Sequence, residues 1–364
     1  MSLTTLLSTL MTFKTTDGNR AAMDRLLAWV EKEISAVPLY VRRYDIHGHP
    51  ALVLTTKRKK SVRLWLVAHI DVVPAPDRLF VPKVRAGKLY GRGAYDMKFA
   101  IACYVRLLKE LGDSVADYDI GLMLTSDEEL GGDSGVRHLL EKEKYTGDVV
   151  FLPDGTGAWE FEEMAKGKLT LEVTARGERG HGARPWDGRS AIHELCSYIH
   201  DAVDEFRVFE KNDAEHWHTT MHVGTIQGGE AFNTVAPIAT AMFDIRYPDA
   251  REFGEIQHIL TSLHTVYPHT RVRILCHDKP YGLGTSNEFA QMFAQYARIE
   301  GRDCGWARAH GSSDARYFNA AHIPTLLISP QGGDAHSDHE WIDLKDLEVY
   351  YRVFKKFVME VARR

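Results

Sequence analysis

The stretch Val62-Arg63-Leu64-Trp65-Leu66-Val67-Ala68-His69-Ile70-Asp71 decides the reading of this chain. Its apolar run, with a basic cluster before it and a Pro-containing loop after it, predicts a buried strand of a mostly parallel sheet. Such strands carry their chemistry at their carboxyl ends, in the crevice outside the sheet. His69 stands at that end, and Asp71 is spaced to hydrogen-bond the imidazole's other nitrogen, as metal-bound histidines require. Taken alone, His69 reads as a packed structural histidine. It becomes a ligand only if carboxylates arrive from elsewhere.

Outward from this strand the pattern repeats. The loop Gly91-Arg92-Gly93-Ala94-Tyr95-Asp96-Met97-Lys98 leads into a helix with Ile101, Ala102, Val105 and Leu108 on one face. The apolar run 120–125 ends in Ser126-Asp127-Glu128-Glu129-Leu130-Gly131-Gly132, and the run 149–152 ends in Pro153-Asp154-Gly155. Strand, polar cluster and helix in this rhythm predict a doubly wound α/β domain. Near Lys168 the pattern changes. Leu169, Leu171 and Val173 alternate with polar residues, and a helix follows with Ile192, Leu195, Cys196, Ile199 and Val203 on one side. Two strands, a second helix (Phe253, Ile256, Ile259, Leu260, Leu263) and a strand at 271–276 complete a β-α-β-β-α-β order, that of a ferredoxin-like unit. The α/β pattern resumes from about Gly282, with a helix at 287–300, a buried strand at 324–329 and a final helix. The expected domains are therefore 1–167 with 280–364, and an insertion at 168–279.

Composition sets limits. The chain has 364 residues, 44% of them hydrophobic, which favours two cores over one. Its formal net charge of −5 and dispersed Lys and Arg give no nucleic-acid footprint, and the cluster Lys57-Arg58-Lys59-Lys60 reads as a solvated turn. No apolar stretch reaches the length of a membrane span. Cys103, Cys196, Cys276 and Cys304 form no CxxC pair and predict buried free thiols in a reducing compartment, so a cytoplasmic protein is expected.

His69 with Asp71, then Asp96, Glu128 with Glu129, and Asp154 all fall at strand ends or in the loops beside them, and His336 joins from the far end of the chain. Singly, Asp96 reads as a helix cap and Asp127-Glu128-Glu129 as a solvated charge run. Together, so many acids in one crevice would repel each other without cations. Imidazole with carboxylate suits zinc, with manganese or cobalt as alternatives. If Asp96 bridges two ions, His69 with Asp154 and His336 with Glu129 complete them, and ions about 3.5–4 Å apart would hold a water and polarise a carbonyl. Glu128 is left over, placed as a general base for amide hydrolysis.

These segments, with Ala335-His336-Ser337-Asp338-His339-Glu340-Trp341, occur in order over nearly the whole chain. In them the chain resembles the co-catalytic zinc metallopeptidase family of aminoacylase, carboxypeptidase G-type enzymes, dipeptidases, acetylornithine deacetylase and succinyl-diaminopimelate desuccinylase. The resemblance implies that Asp96 bridges, Glu128 is the base and Asp71 orients His69. It also implies a di-metal hydrolase domain interrupted by a lid and dimerisation domain, and hence a homodimer through the lid. His181 in Gly180-His181-Gly182 is similar to the lid histidine that steadies the oxyanion, often from the partner subunit. Asn233, Arg246 and Ser313 resemble groups that hold a substrate carboxylate. Two departures stand out. Phe99 replaces the small residue that usually follows Asp-Met-Lys, and the terminal ligand is Asp154 rather than Glu, which within the family leans toward di- and tripeptide substrates over N-acyl amino acids. A binding protein on this scaffold that has lost its metals is the reading from another class, and the intact set of five ligands plus Glu128 argues against it.

Overall fold

The computed structural model describes residues 1–155, 157–211 and 214–363, and the chain divides into two compact units. The first comprises Met1–Glu163, Gly282–Arg308 and Ser313–Arg364, and the second Met164–Tyr281 with Ala309–Ser312.

The first unit is α/β. The strand Ser61–His69 lies inside a six-stranded sheet, parallel to Ile120–Thr125 on one side and to Thr146–Phe151 on the other. Thr325–Leu326 extends the parallel part beyond Thr146–Phe151, and the antiparallel pair Tyr40–Ile46 and His49–Thr55 forms the opposite edge. The sheet is mixed and mostly parallel. The expected strand at 324–329 is shorter, because beyond Leu326 the carbonyls turn to another segment. Leu327 accepts from the Glu162 N–H at 3.1 Å and Ser329 from the Trp159 N–H at 2.9 Å.

The helix Lys98–Leu111 is buried almost all round rather than on one face, since it packs against Leu3–Met11 as well as the sheet. Phe99 is accommodated by aromatic neighbours: its ring stacks on Tyr95 at 6.2 Å and meets Tyr350 edge-on at 6.0 Å. The extra volume is taken up by packing.

In the second unit four antiparallel strands run in the order Thr220–Gly228, Ile238–Tyr247, Gly167–Arg176, Thr270–Asp278. With the helices Ala191–Phe206 and Glu252–Val266 between them in sequence, this is the ferredoxin-like arrangement. Alternate residues Leu169, Leu171, Val173 and Phe243, Ile245 face the helices in one apolar core. The first helix is turned from its expected face. It buries Ala191, Leu195, Tyr198, Ala202 and Phe206, whereas Cys196 and Val203 are exposed. An aromatic side chain buries roughly 150–250 Å², so covering Tyr198 and Phe206 outweighs covering Cys196 and Val203. The expectation of four buried thiols fails: Cys103 is buried, Cys276 and Cys304 are half-buried, and Cys196, on the face the aromatic side chains displace, is exposed.

Candidate metal centre

All the acidic and imidazole groups expected to converge lie in the first unit. His69 is the last residue of its strand and is buried. Its Nδ1 donates to the Asp71 backbone carbonyl at 3.0 Å, and the Asp71 carboxylate stands farther off at 3.6 Å. Orientation of the ring thus rests on the main chain of Asp71. One oxygen of the Asp71 carboxylate accepts the Glu129 N–H at 3.0 Å, so this residue fixes two of the clustered groups. The His69 Nε2 faces Asp96 Oδ1 at 3.0 Å.

Asp96 is central. Its other oxygen, Oδ2, lies 2.9 Å from His336 Nε2, which is also 3.2 Å from Glu129 Oε2. His69, Asp96 and Asp154 each offer one donor atom within 4.8 Å of the others, and so do Asp96, Glu129 and His336. The two triads share Asp96. Glu128 belongs to neither. It opens a short 3₁₀ turn, Glu128–Leu130, after the strand Ile120–Thr125. Asp127 ties that turn down by accepting from the Ser134 and Gly135 N–H groups at 2.7 and 3.0 Å. The charge run is therefore embedded, not solvated, and Asp96 does not cap the helix, whose N-cap Met97 has no side-chain bond.

The electrostatics match a cation site. Burial opposes the charge on His69, but Asp71 and Asp96 hold its pKa well above the ordinary histidine value. Asp96 and Glu129 raise His336 to about 10. Burial, with Asp96 and Glu129 nearby, pushes Asp154 up to about 7, and burial beside Asp154 drives Glu128 well above the usual carboxylate range. The raised proton affinity of both imidazoles and of Asp154 and Glu128 reflects a crowding of charge that divalent cations would compensate. Metal uptake at such sites releases protons, and the mixed imidazole and carboxylate donors suit zinc, manganese or cobalt.

Ser313 also lies in this unit, buried, with its Oγ accepting from the Ala315 N–H at 3.3 Å. His181, Asn233 and Arg246 belong to the second unit. His181 pairs with Thr234 across a two-residue ladder, and the neighbouring Gly182 N–H donates to the Asn233 carbonyl at 2.7 Å. The Ala183 N–H donates to His181 Nδ1 at 3.0 Å, which leaves the proton on Nε2 of an exposed ring. Asn233 is exposed, while the Arg246 fork is engaged by Asp244 at 2.6 and 3.0 Å.

Four further residues have roles that a reading of motifs does not assign. Arg316 Nη2 and Tyr317 Oη both donate to the Gly131 carbonyl at 2.5 Å, clamping the turn that carries Glu128 and Glu129. Lys98 is fully buried, bonded to the Phe13 carbonyl at 2.8 Å, and pushed down to about 7 by burial. Glu340 is buried against Arg92. The charges of Lys98, Arg316 and Glu340 beside the polar clusters were the available signal, but nothing in the sequence names their partners.

Residues 65–360 match the peptidase family M20/M25/M40. Among curated relatives, the succinyl-diaminopimelate desuccinylase of Corynebacterium glutamicum is 31% identical over 57% of this chain and 57% of its own length. That of Nitrosococcus oceani is 26% identical over 83% of this chain and 85% of its own. Among solved structures, a tripeptidase from Staphylococcus aureus superposes with a TM-score of 0.82 at 20% identity, covering 100% of this chain and 98% of that one, a likeness of fold. No helix among the described residues is long and apolar enough to cross a membrane. With the family match spanning most of the chain and two ligand triads around one aspartate, the chain belongs to the peptidase family M20/M25/M40, whose members are metallopeptidases or amidohydrolases with dinuclear metal binding.

Proposed function

We propose that the chain hydrolyses an amide bond in a short peptide of the di- or tripeptide type. His69 and Asp154 would hold one divalent ion, His336 and Glu129 a second, and Asp96 would be shared; zinc is the favoured ion, with manganese and cobalt as alternatives. The observation that carries this reading is the sharing of Asp96 by two triads, with Glu128 beside both and part of neither. When bound, the ions would supply Lewis acidity toward the substrate carbonyl and lower the pKa of water.

The remaining roles fall to the chain's own groups. Glu128 takes a proton from the attacking water at its carboxylate and delivers it to the departing amide nitrogen. The Asp71 carbonyl keeps the His69 ring turned so that Nε2 faces the ion. His181, whose proton sits on Nε2, donates to the oxygen that gains charge as the amide carbon becomes tetrahedral. Asn233, Arg246 and Ser313 hold the substrate's terminal carboxylate, with Arg246 exchanging Asp244 for it. We assign the insertion as the lid and as the surface of a homodimer, and the free cysteines support a cytoplasmic setting.

A second reading, an N-acyl-amino-acid amidohydrolase, is favoured by the desuccinylase relative that aligns over 85% of its length. Protein loaded with zinc, manganese or cobalt and assayed on di- and tripeptides and on N-succinyl and N-acetyl amino acids separates the two. Cleavage of the peptides is expected. Turnover of the acylated compounds alone would replace the first reading by the second.

A further inference from the structure

Glu340 and Arg92 are both nearly fully buried, 1% and 2% exposed, and both bond to the segments of the two triads while belonging to neither. Glu340 Oε2 accepts from Arg92 Nη1 at 2.6 Å and from the Gly93 N–H at 3.1 Å. Its Oε1 accepts from the N–H groups of Tyr95 and Asp96, at 2.9 and 3.1 Å. The other arm of the Arg92 fork, Nη2, donates to the His336 carbonyl at 3.0 Å. One carboxylate therefore receives the backbone N–H of the shared aspartate itself. One guanidinium joins that carboxylate to the backbone of a histidine more than 240 positions away.

The loop at His336 needs such a brace. His336 and Asp334 hold φ of 64° and 57°, left-handed values uncommon for residues with a Cβ. The His336 side chain is 56% exposed, so packing does little to hold its ring over Asp96 and Glu129. His69, by contrast, is seated by its strand.

We propose that Glu340 and Arg92 are a positioning pair that sets the distance between Asp96 and His336, and through it the affinity of the ion those residues share with Glu129. The proposal rests on the two-ion reading above. The chemistry of each partner is specific. A glutamine at 340 must turn its NH₂ toward either the Tyr95 and Asp96 N–H pair or the Arg92 and Gly93 donors, placing donor against donor. A lysine at 92 keeps the charge but loses the planar fork that reaches two acceptors at once.

Zinc titration against a chromophoric chelator, with cobalt spectra as a second readout, tests the pair in Arg92→Lys and Glu340→Gln. Partners that orient ligands typically contribute about 10–100-fold in metal affinity. The expected result is one ion weakened by that factor, the other by several-fold less, and kcat restored by excess zinc at unchanged KM. Arg92→Lys keeps a buried cation opposite Glu340 should Glu340→Gln fail to fold. Equal weakening of both ions, or unchanged affinities, would overturn the pair's role. Wild-type protein that binds fewer than two ions would instead overturn the two-ion reading.

Discussion

Around Asp96, in the first unit, imidazoles and carboxylates crowd together, all but the half-exposed His336 largely out of solvent, and are braced by groups from distant parts of the chain. In the second unit the core between sheet and helices is apolar, and His181 and Asn233 stand exposed at a short ladder held by neighbouring backbone. The difference follows from what each set must do. Metal ligands need a low-dielectric, preformed cage, which costs stability until the cations arrive. Groups that read a substrate have to stay accessible until it binds. On the reading proposed above, the first unit would carry its function as largely buried charge and the second as exposed donors.

Removing the metal is the strongest way to break this contrast. Chelation is expected to abolish activity, with restoration by zinc. It is also expected to raise hydrogen exchange in the loops of His69, Asp96 and His336 while leaving the second unit's sheet protected. At free ion 100-fold above its Kd, the stabilisation lost is about 2.7 kcal/mol. Equal deprotection of both units would mean that the cations support more than their own cage. The titrations sharpen the same point. In the ion-free protein His336 holds its proton up to about pH 10, so ions must displace it at neutral pH. Apparent affinity should then rise as pH increases from neutral toward 10, with proton release measurable by calorimetry in buffers of different ionisation enthalpy.

Next in size is Glu128→Gln. With both ions retained, kcat should fall roughly 10²–10⁴-fold, and loss of an ion would move Glu128 from base to ligand. His181→Ala, in the second unit, should lower kcat about 10²–10³-fold with metal content and melting temperature unchanged. A fall in metal content there would erase the division of labour between the units. The smallest effects concern cysteine. Cys103→Ser buries a hydroxyl and should cost about 1–3 kcal/mol, whereas Cys196→Ser at an exposed site should stay within about 0.5 kcal/mol. Thermal unfolding in reductant checks both.

Period and punctuation made much of this molecule readable. The uninterrupted apolar run ending at His69 reads as a buried parallel strand, and the alternation from Leu169 reads as a sheet with one covered face. What those signals lack is the direction of a face when two are apolar. The helix Ala191–Phe206 carries Cys196 and Val203 on one side and Tyr198 and Phe206 on another, and only contact with the sheet selects the aromatic side. Likewise, a glutamate in a polar loop looks the same whether solvated or buried, so the place of Glu340 under Asp96 was not legible.

The sequence by itself determined the strand ends where polar groups collect and the residue types able to meet a divalent ion, because hydrophobic period and side-chain chemistry are local properties. Only the tertiary structure decided that Asp71 steadies His69 through its main chain, that Arg92 reaches the His336 carbonyl, and that Arg316 and Tyr317 clamp Gly131. Those contacts depend on which acceptors the fold brings within reach of each donor, and no local spacing encodes that.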